Sequence, residues 1–163
     1  MTQHKGKGTR VLIADDDFSI RQLVCTIVKR EGLEVDCVAD GAEAIEKLQE
    51  HEYAVVLLDL MMPRVDGFGV VEYLRHHPPT HKPVVLVVTA YADQKFKEVD
   101  PNIVSGVLRK PFEVAELGTV VRLCVYGFET ETESAQQRHH TLHELTSRQW
   151  HVATAGDGTN GPH

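Results

Sequence analysis

The stretch Val11-Leu12-Ile13-Ala14-Asp15-Asp16-Asp17 decides how this chain is read: four aliphatic residues, then three carboxylates without a break. A short aliphatic and β-branched run is the signature of a strand buried on both faces. The abrupt change to Asp marks where its tip meets solvent. A second run, Ala54-Val55-Val56-Leu57-Leu58, stops in the same way at Asp59. Two more finish in Thr89 and in Lys110-Pro111. In an open sheet of parallel strands, ligands sit beyond the carboxyl ends. Carboxylates, a hydroxyl and an ammonium therefore meet at one edge, a set suited to a divalent cation and a phosphoryl group.

Outward from these runs, strands and helices alternate. Strand candidates fall at residues 10–14, 34–38, 54–58, 84–88 and 106–108. Residues 19–31 place Ile20, Leu23, Val24, Ile27 and Val28 on one helical face, with Asp17 or Ser19 as N-cap and Gly32 where a left-handed C-cap belongs. Asp40 opens a second helix, with Glu43 in capping-box position and Ala44, Ile45 and Leu48 on the buried side. A third starts near Asp66-Gly67, buries Val70, Val71 and Leu74, and stops before Pro78-Pro79. Residues 93–105 space Phe96, Val99 and Ile103 helically, but Pro101 interrupts them and pushes Asp100 out of helical geometry. A short or broken helix is expected there. The last helix spans residues 114–128, with Leu117, Val120, Val121, Cys124 and Phe128 on one face.

This order predicts an α/β fold: a flavodoxin-like, doubly wound, five-stranded parallel sheet in the order 2-1-3-4-5, with five helices, the fourth short or irregular. Strands 1 and 3 are then neighbours. Asp15, Asp16 and Asp59 converge at the switch point, and Thr89 and Lys110 flank them.

Composition sets the bounds. The 163 residues, 42% hydrophobic and 25% charged, fit one domain with a tail. Residues 1–9 read as a polar N-terminal extension, 10–128 as the folded domain and 129–163 as a disordered tail with one loose helix around 141–150. In that tail Trp150 is an apolar anchor for docking on the domain or on a partner. A net charge of −7 argues against nonspecific nucleic-acid binding. No apolar stretch approaches the ~18 residues of a membrane span, so neither nucleic acid nor membrane is an expected partner. No signal-peptide core follows the polar start. Cys25, Cys37 and Cys124 are odd in number, widely spaced and set in apolar patterns. They read as reduced thiols, and the expected location is cytoplasmic.

Two adjacent carboxylates facing a third cannot all stay ionised without a cation. Mg²⁺ is the natural guest, being hard and fond of pairing a carboxylate or two with a phosphate. Asp59, alone at the tip of the most apolar strand, is the best nucleophile candidate, because carboxylates can form aspartyl phosphates. Mg²⁺, the Lys110 ammonium and the Thr89 hydroxyl could each address one phosphoryl oxygen. Taken singly, these residues are ordinary: the triple Asp could be a loop with a helix cap, and a lone Asp or Thr a turn residue. Their joint order and strand context carry the signal. His76, His77 and His81 read as solvated surface residues, and His139 with His143 lacks a third metal ligand.

The blocks Val11 to Asp17, Leu58-Asp59-Leu60-Met61-Met62-Pro63 with Asp66-Gly67, Thr89-Ala90 and Lys110-Pro111-Phe112 together resemble the CheY-like receiver domain of two-component response regulators. The resemblance covers residues 10–128. It implies that Asp59 is the phosphoacceptor, that Asp16 ligates Mg²⁺ directly and Asp15 largely through water, and that the backbone carbonyl of Met61 is a further ligand. It also implies that Thr89 binds the phosphoryl group and moves with it, and that Lys110 pairs with it beside a cis Lys110–Pro111 peptide. The donor would be a histidine kinase or histidine phosphotransfer protein docking on the rim of residues 19–31. The expected role is a phosphorelay switch that passes its signal to an as yet unidentified protein target. The domain is then not an enzyme, beyond self-catalysed transfer and slow autodephosphorylation. With so few apolar residues after Phe128, a DNA-binding module is not expected, and the chain reads as a stand-alone receiver.

Two departures from the family pattern stand out. Receivers usually carry Tyr or Phe three residues before the lysine, where this chain has Val107. The interval from Thr89 to Lys110 also looks about one residue short and contains Pro101. Activation is therefore expected to be read mainly near residues 89–93 and the loop after Asp59, with Tyr91 gating the site and weak coupling to the fifth strand and the helices beside it. The alternatives are a pseudo-receiver that only binds partners and a Mg²⁺-dependent aspartyl-phosphate phosphohydrolase. The second lacks the Asp expected two residues after the nucleophile, where Met61 stands.

Overall fold

The aliphatic runs form parallel strands because both their faces can be covered at once. In the computed structural model, which describes residues 9–91, 96–129 and 150–151, these are β1 (Arg10–Ala14), β2 (Glu34–Val38), β3 (Val55–Leu58), β4 (Val84–Thr89) and β5 (Val104–Arg109). Between and after them lie α1 (Phe18–Arg30), α2 (Gly41–Glu50), α3 (Gly67–His76) and α4 (Val114–Glu129). The sheet order is β2-β1-β3-β4-β5, parallel throughout, the doubly wound order that the alternation of elements predicts.

Alternate residues of each strand feed two cores. Val11, Ile13, Val55, Leu57, Leu86, Val88 and Leu108 face α1 and α4, meeting Val24, Val28, Leu117 and Val121. Leu12, Ala14, Val56, Leu58, Val87 and Val107 face α2 and α3, meeting Ala44, Val70, Val71 and Leu74. Full burial of one such side chain contributes about 1.5–3 kcal/mol, so these two layers supply most of the driving force.

Local signals end the elements as read. Asp17 caps α1, its carboxylate accepting the Ile20 N–H at 3.0 Å, and Gly32 follows with a φ of +78°. Asp40 caps α2 through the Glu43 N–H, while the Glu43 carboxylate returns to the Ala39 N–H, each at 2.9 Å. Asp66 caps α3 through the Gly69 N–H at 3.0 Å.

Among the described residues, the segment around Pro101 holds one 3₁₀ turn, Phe96–Glu98, where the short or irregular fourth helix was expected. The Asp100 carboxylate accepts the Asn102 N–H at 2.9 Å and its carbonyl accepts the Val104 N–H at 2.8 Å. The local turn that Asp-Pro-Asn favours has displaced a helical one. Most boundaries agree with expectation or differ by a single residue, and the largest difference among the strands is in β5, which begins two residues early with Val104 and Ser105. The pairing register moves from Val85 opposite Val104 to Leu86 opposite Gly106, so Ser105 is an extra residue, a β-bulge.

A sixth strand, β6 (Trp150–His151), pairs antiparallel with the outer edge of β5, Leu108 opposite Trp150 and Val107 opposite His151. Sequence reading placed these residues in a disordered tail and at the end of a loose helix; here they extend the sheet. The rest of that tail and the 1–8 extension lie outside the described residues, as do His139 and His143. Among the described residues no helix is long and apolar enough to cross a membrane. All three cysteines are free thiols, with Cys25 and Cys124 buried.

Candidate functional site

Strand register brings the site together. Asp59 N–H bonds to the Ala14 carbonyl at 2.9 Å, and Asp15 N–H to the Val38 carbonyl at 3.1 Å, so both residues sit one step past paired strand ends. Asp15 and Asp59 are buried while Asp16 is exposed, and each of the three offers a carboxylate oxygen within 4.8 Å of the other two. Lys110 reaches across from the end of β5. Its ammonium lies 2.6 Å from Asp15 Oδ2 and 3.3 Å from Asp59 Oδ2. The Lys110–Pro111 peptide is cis.

The remaining contacts orient these groups. The second Asp15 oxygen accepts the Asp17 N–H at 2.9 Å, which engages both oxygens of that carboxylate. Asp59 Oδ1 accepts the Met61 N–H at 3.3 Å. Thr89 is fully buried at the end of β4; its carbonyl accepts the Lys110 N–H at 3.0 Å and its hydroxyl accepts the Tyr91 N–H at 3.2 Å. The Tyr91 side chain is exposed. Val107 is 1% exposed and packs in the α2–α3 core.

Burial holds the Asp59 carboxyl above the usual carboxylate range; Lys110 opposes this, Asp15 adds to it, and the Met61 N–H does not restore the balance. Burial works to lower the Lys110 ammonium, but the Asp15 hydrogen bond and the charges of Asp59 and Asp15 outweigh it and raise its pKa. The site thus has more negative charge than one lysine settles, which is the electrostatic condition for a divalent cation. The donor set, oxygen only and carboxylate-rich, fits Mg²⁺.

Residues 11–122 match the family described as the response regulator receiver domain. The chain belongs to that family. Among curated proteins it is similar to the transcriptional regulatory protein SrrA of Staphylococcus aureus, 30% identical over 132 residues, covering 81% of this chain and 54% of that protein. The chain spans about half the length of these relatives. Among solved structures, the chemotaxis response regulator CheY4 of Vibrio cholerae aligns with a TM-score of 0.65 at 30% identity, over 72% of this chain and 98% of that one. The response regulator TrrA of Thermotoga maritima, solved in complex with Mg²⁺ and BeF, aligns at 0.63 with 28% identity, over 71% and 98%.

All five side chains singled out from sequence for the chemistry, Asp15, Asp16, Asp59, Thr89 and Lys110, stand at the carboxyl edge of this receiver's sheet. Three supporting roles escaped that reading. Arg21 donates to the Asp15 carbonyl at 2.7 Å, holding the acidic turn from α1. Arg64 adopts a φ of +62° and its Nε bonds Asp40 at 2.8 Å, while the Gly41 N–H bonds the Val65 carbonyl at 2.8 Å. The loop after Asp59 is thereby clasped to the start of α2. Gly67 lies so close to the phosphoacceptor strand that an added Cβ would sit 2.4 Å from the Asp59 carbonyl oxygen. In the sequence Gly67 belongs to the Asp66-Gly67 block at the start of a helix, and nothing local shows how near the Asp59 strand it comes.

Proposed function

We propose that this receiver takes a phosphoryl group onto Asp59 from a phosphohistidine, carried by a histidine kinase or a histidine phosphotransfer protein, and that the modified state changes its protein contacts. The observation that supports this best is the Lys110 ammonium set between Asp15 and Asp59, with a third carboxylate beside them. An Asp59 oxygen attacks phosphorus in line with the leaving imidazole. Lys110 then neutralises charge on the transferred group, and the Thr89 hydroxyl turns from its loop contact to donate to a phosphoryl oxygen. Asp16, Asp59 and the Met61 carbonyl would hold Mg²⁺, with Asp15 acting through water. When bound, the cation supplies charge neutralisation to the phosphoryl oxygens.

Docking of the donor suits the surface beside the site. Leu23, within the rim of residues 19–31, is 41% exposed and offers a partner an apolar side chain; Phe18, Met61 and Val114 are each exposed as well. The chain acts as an acceptor and switch, with slow self-catalysed loss of the group, rather than as a turnover enzyme. Its place of action in this reading is the cytoplasm.

Incubation with acetyl phosphate and Mg²⁺ tests this. A switch gains one stable phosphoryl group, a phosphohydrolase shows continued turnover, and a pseudo-receiver shows neither. Metal affinity gives a second check. Asp15 already has both oxygens engaged, whereas Asp16 is exposed. Asp16→Ala is therefore expected to weaken Mg²⁺ binding at least as much as Asp15→Ala in calorimetric titration; the reverse order contradicts the ligand assignment.

A further inference from the structure

The loop between Asp59 and α3 returns on itself. The Leu60 carbonyl accepts the Gly67 N–H at 2.9 Å, which leaves residues 61–66 as a closed excursion with Arg64 and Val65 near its tip. That tip is seated on the segment after β2. The Val65 carbonyl accepts the Gly41 N–H at 2.8 Å, and a Cβ added to Gly41 would lie 2.3 Å from that carbonyl oxygen. Beside it Arg64 donates Nε and Nη2 to Asp40 Oδ2, the first at 2.8 Å, while Asp40 Oδ1 caps α2 through the Glu43 N–H. Arg64 does this at a φ of +62°, a left-handed backbone that disfavours any residue with a Cβ. Such an outlier persists where its surroundings impose it, and it points to a role. The Arg64 side chain is 62% exposed and that of Asp40 9%, so a nearly buried carboxylate takes its counter-charge from an open arginine.

The seat holds a second part of the site. At the end of β2 the Val38 carbonyl accepts the Asp15 N–H at 3.1 Å. Residues 38–41 therefore grip both the acidic turn of Asp15 and Asp16 and the loop that carries Met61. We infer that Arg64 is a positioning residue for the cation site: its clasp on Asp40 fixes the loop on residues 38–41 and so sets the place of the Met61 carbonyl relative to Asp15 and Asp16. The inference rests on the phosphoryl-acceptor reading above, in which that carbonyl and Asp16 hold Mg²⁺. When the clasp is removed, the tip keeps the Val65–Gly41 hydrogen bond but loses its charged tie. The loop then wanders from the pose that presents its carbonyl, and affinity for Mg²⁺ falls as it does when any support of a metal ligand is lost.

The sign of the effect makes the proposal testable. By charge alone, deleting a cation near an acidic cluster tightens the binding of a divalent cation; loss of positioning weakens it. Calorimetric titration of the full chain with Mg²⁺, beside urea unfolding in Mg²⁺-free buffer, reads both affinity and stability. Arg64→Gly removes the clasp and accepts the left-handed backbone without strain. It should bind Mg²⁺ about fivefold more weakly or worse. Arg64→Asn, which also tolerates that backbone, should match it and decides the matter if the glycine variant fails to fold. Unchanged or tighter Mg²⁺ binding in these variants, whatever their unfolding midpoints, overturns the proposal. Asp40→Asn keeps an oxygen to cap α2 but not the charge that Arg64 clasps. In that background Arg64→Gly should cost at most about twofold more, because the interaction is already gone. An undiminished loss there would assign the effect to something other than the clasp and also overturn it. A wild-type chain that takes up no Mg²⁺ defeats the phosphoryl-acceptor reading itself.

Discussion

Replacing Asp59 by Asn is expected to cut acetyl phosphate labelling from about one phosphoryl group per chain to none, because an amide oxygen is not a nucleophile for phosphorus. Intact-mass measurement reads this directly, and equal labelling of the variant would remove Asp59 from the role. The same substitution is expected to raise the unfolding midpoint in Mg²⁺-free buffer at neutral pH. Burial lifts the Asp59 carboxyl in the folded chain above its unfolded value of about 3.9. Between those two values the folded state holds the proton more tightly, so stability falls as pH rises through the window and is lowest above it. The variant loses that dependence. Its advantage should therefore vanish on acidification below the unfolded value and shrink when Mg²⁺ stabilises the wild type. A variant less stable than wild type at neutral pH would show that the carboxylate contributes more through Lys110 than burial takes away.

The second large effect is expected at Gly67. A Cβ there would lie 2.4 Å from the Asp59 carbonyl oxygen and 2.7 Å from Leu60 Cα, both backbone atoms that no side-chain rotation can move. Gly67→Ala must push the start of α3 away from the phosphoacceptor strand, at a cost of about 3 kcal/mol on the scale of overpacked interiors. Urea denaturation measures the loss. Because the Gly67 N–H also bonds the Leu60 carbonyl at 2.9 Å, the displaced loop should slow phosphorylation of whatever fraction folds. An unchanged denaturation midpoint would mean that α3 yields freely, contrary to its caps and its buried Val70 and Leu74.

What could be read from residues alone was what is decided locally. Strand tips at Asp15, Asp59, Thr89 and Lys110 are abrupt changes of polarity within a run, and the caps Asp17, Asp40 and Asp66 act within three residues of themselves. Pro101 announces its own interruption. The early start of β5 was obscured because Ser105 and Gly106 dilute the apolar pattern. The Arg64–Asp40 clasp and the seat of Gly67 depend on segments meeting in space, which spacing along the chain does not encode. β6 was hidden for a related reason: two residues carry no periodicity, and their strand exists only because a neighbouring edge accepts it.

The bulge at Ser105 has a consequence for how this domain can vary. Val104 and Val107 are an odd number of positions apart yet face the same core, because the extra residue reverses the alternation between them. Every side chain downstream inherits that reversal. Removing Ser105 would turn Val107 toward the opposite layer, bring Leu108 to the helices it now avoids, and send the lysine away from the acidic cluster. The distance from the sheet's far end to Asp59 is therefore counted in odd or even steps, and lineages of this chain should tolerate paired insertions in β5 far better than single ones.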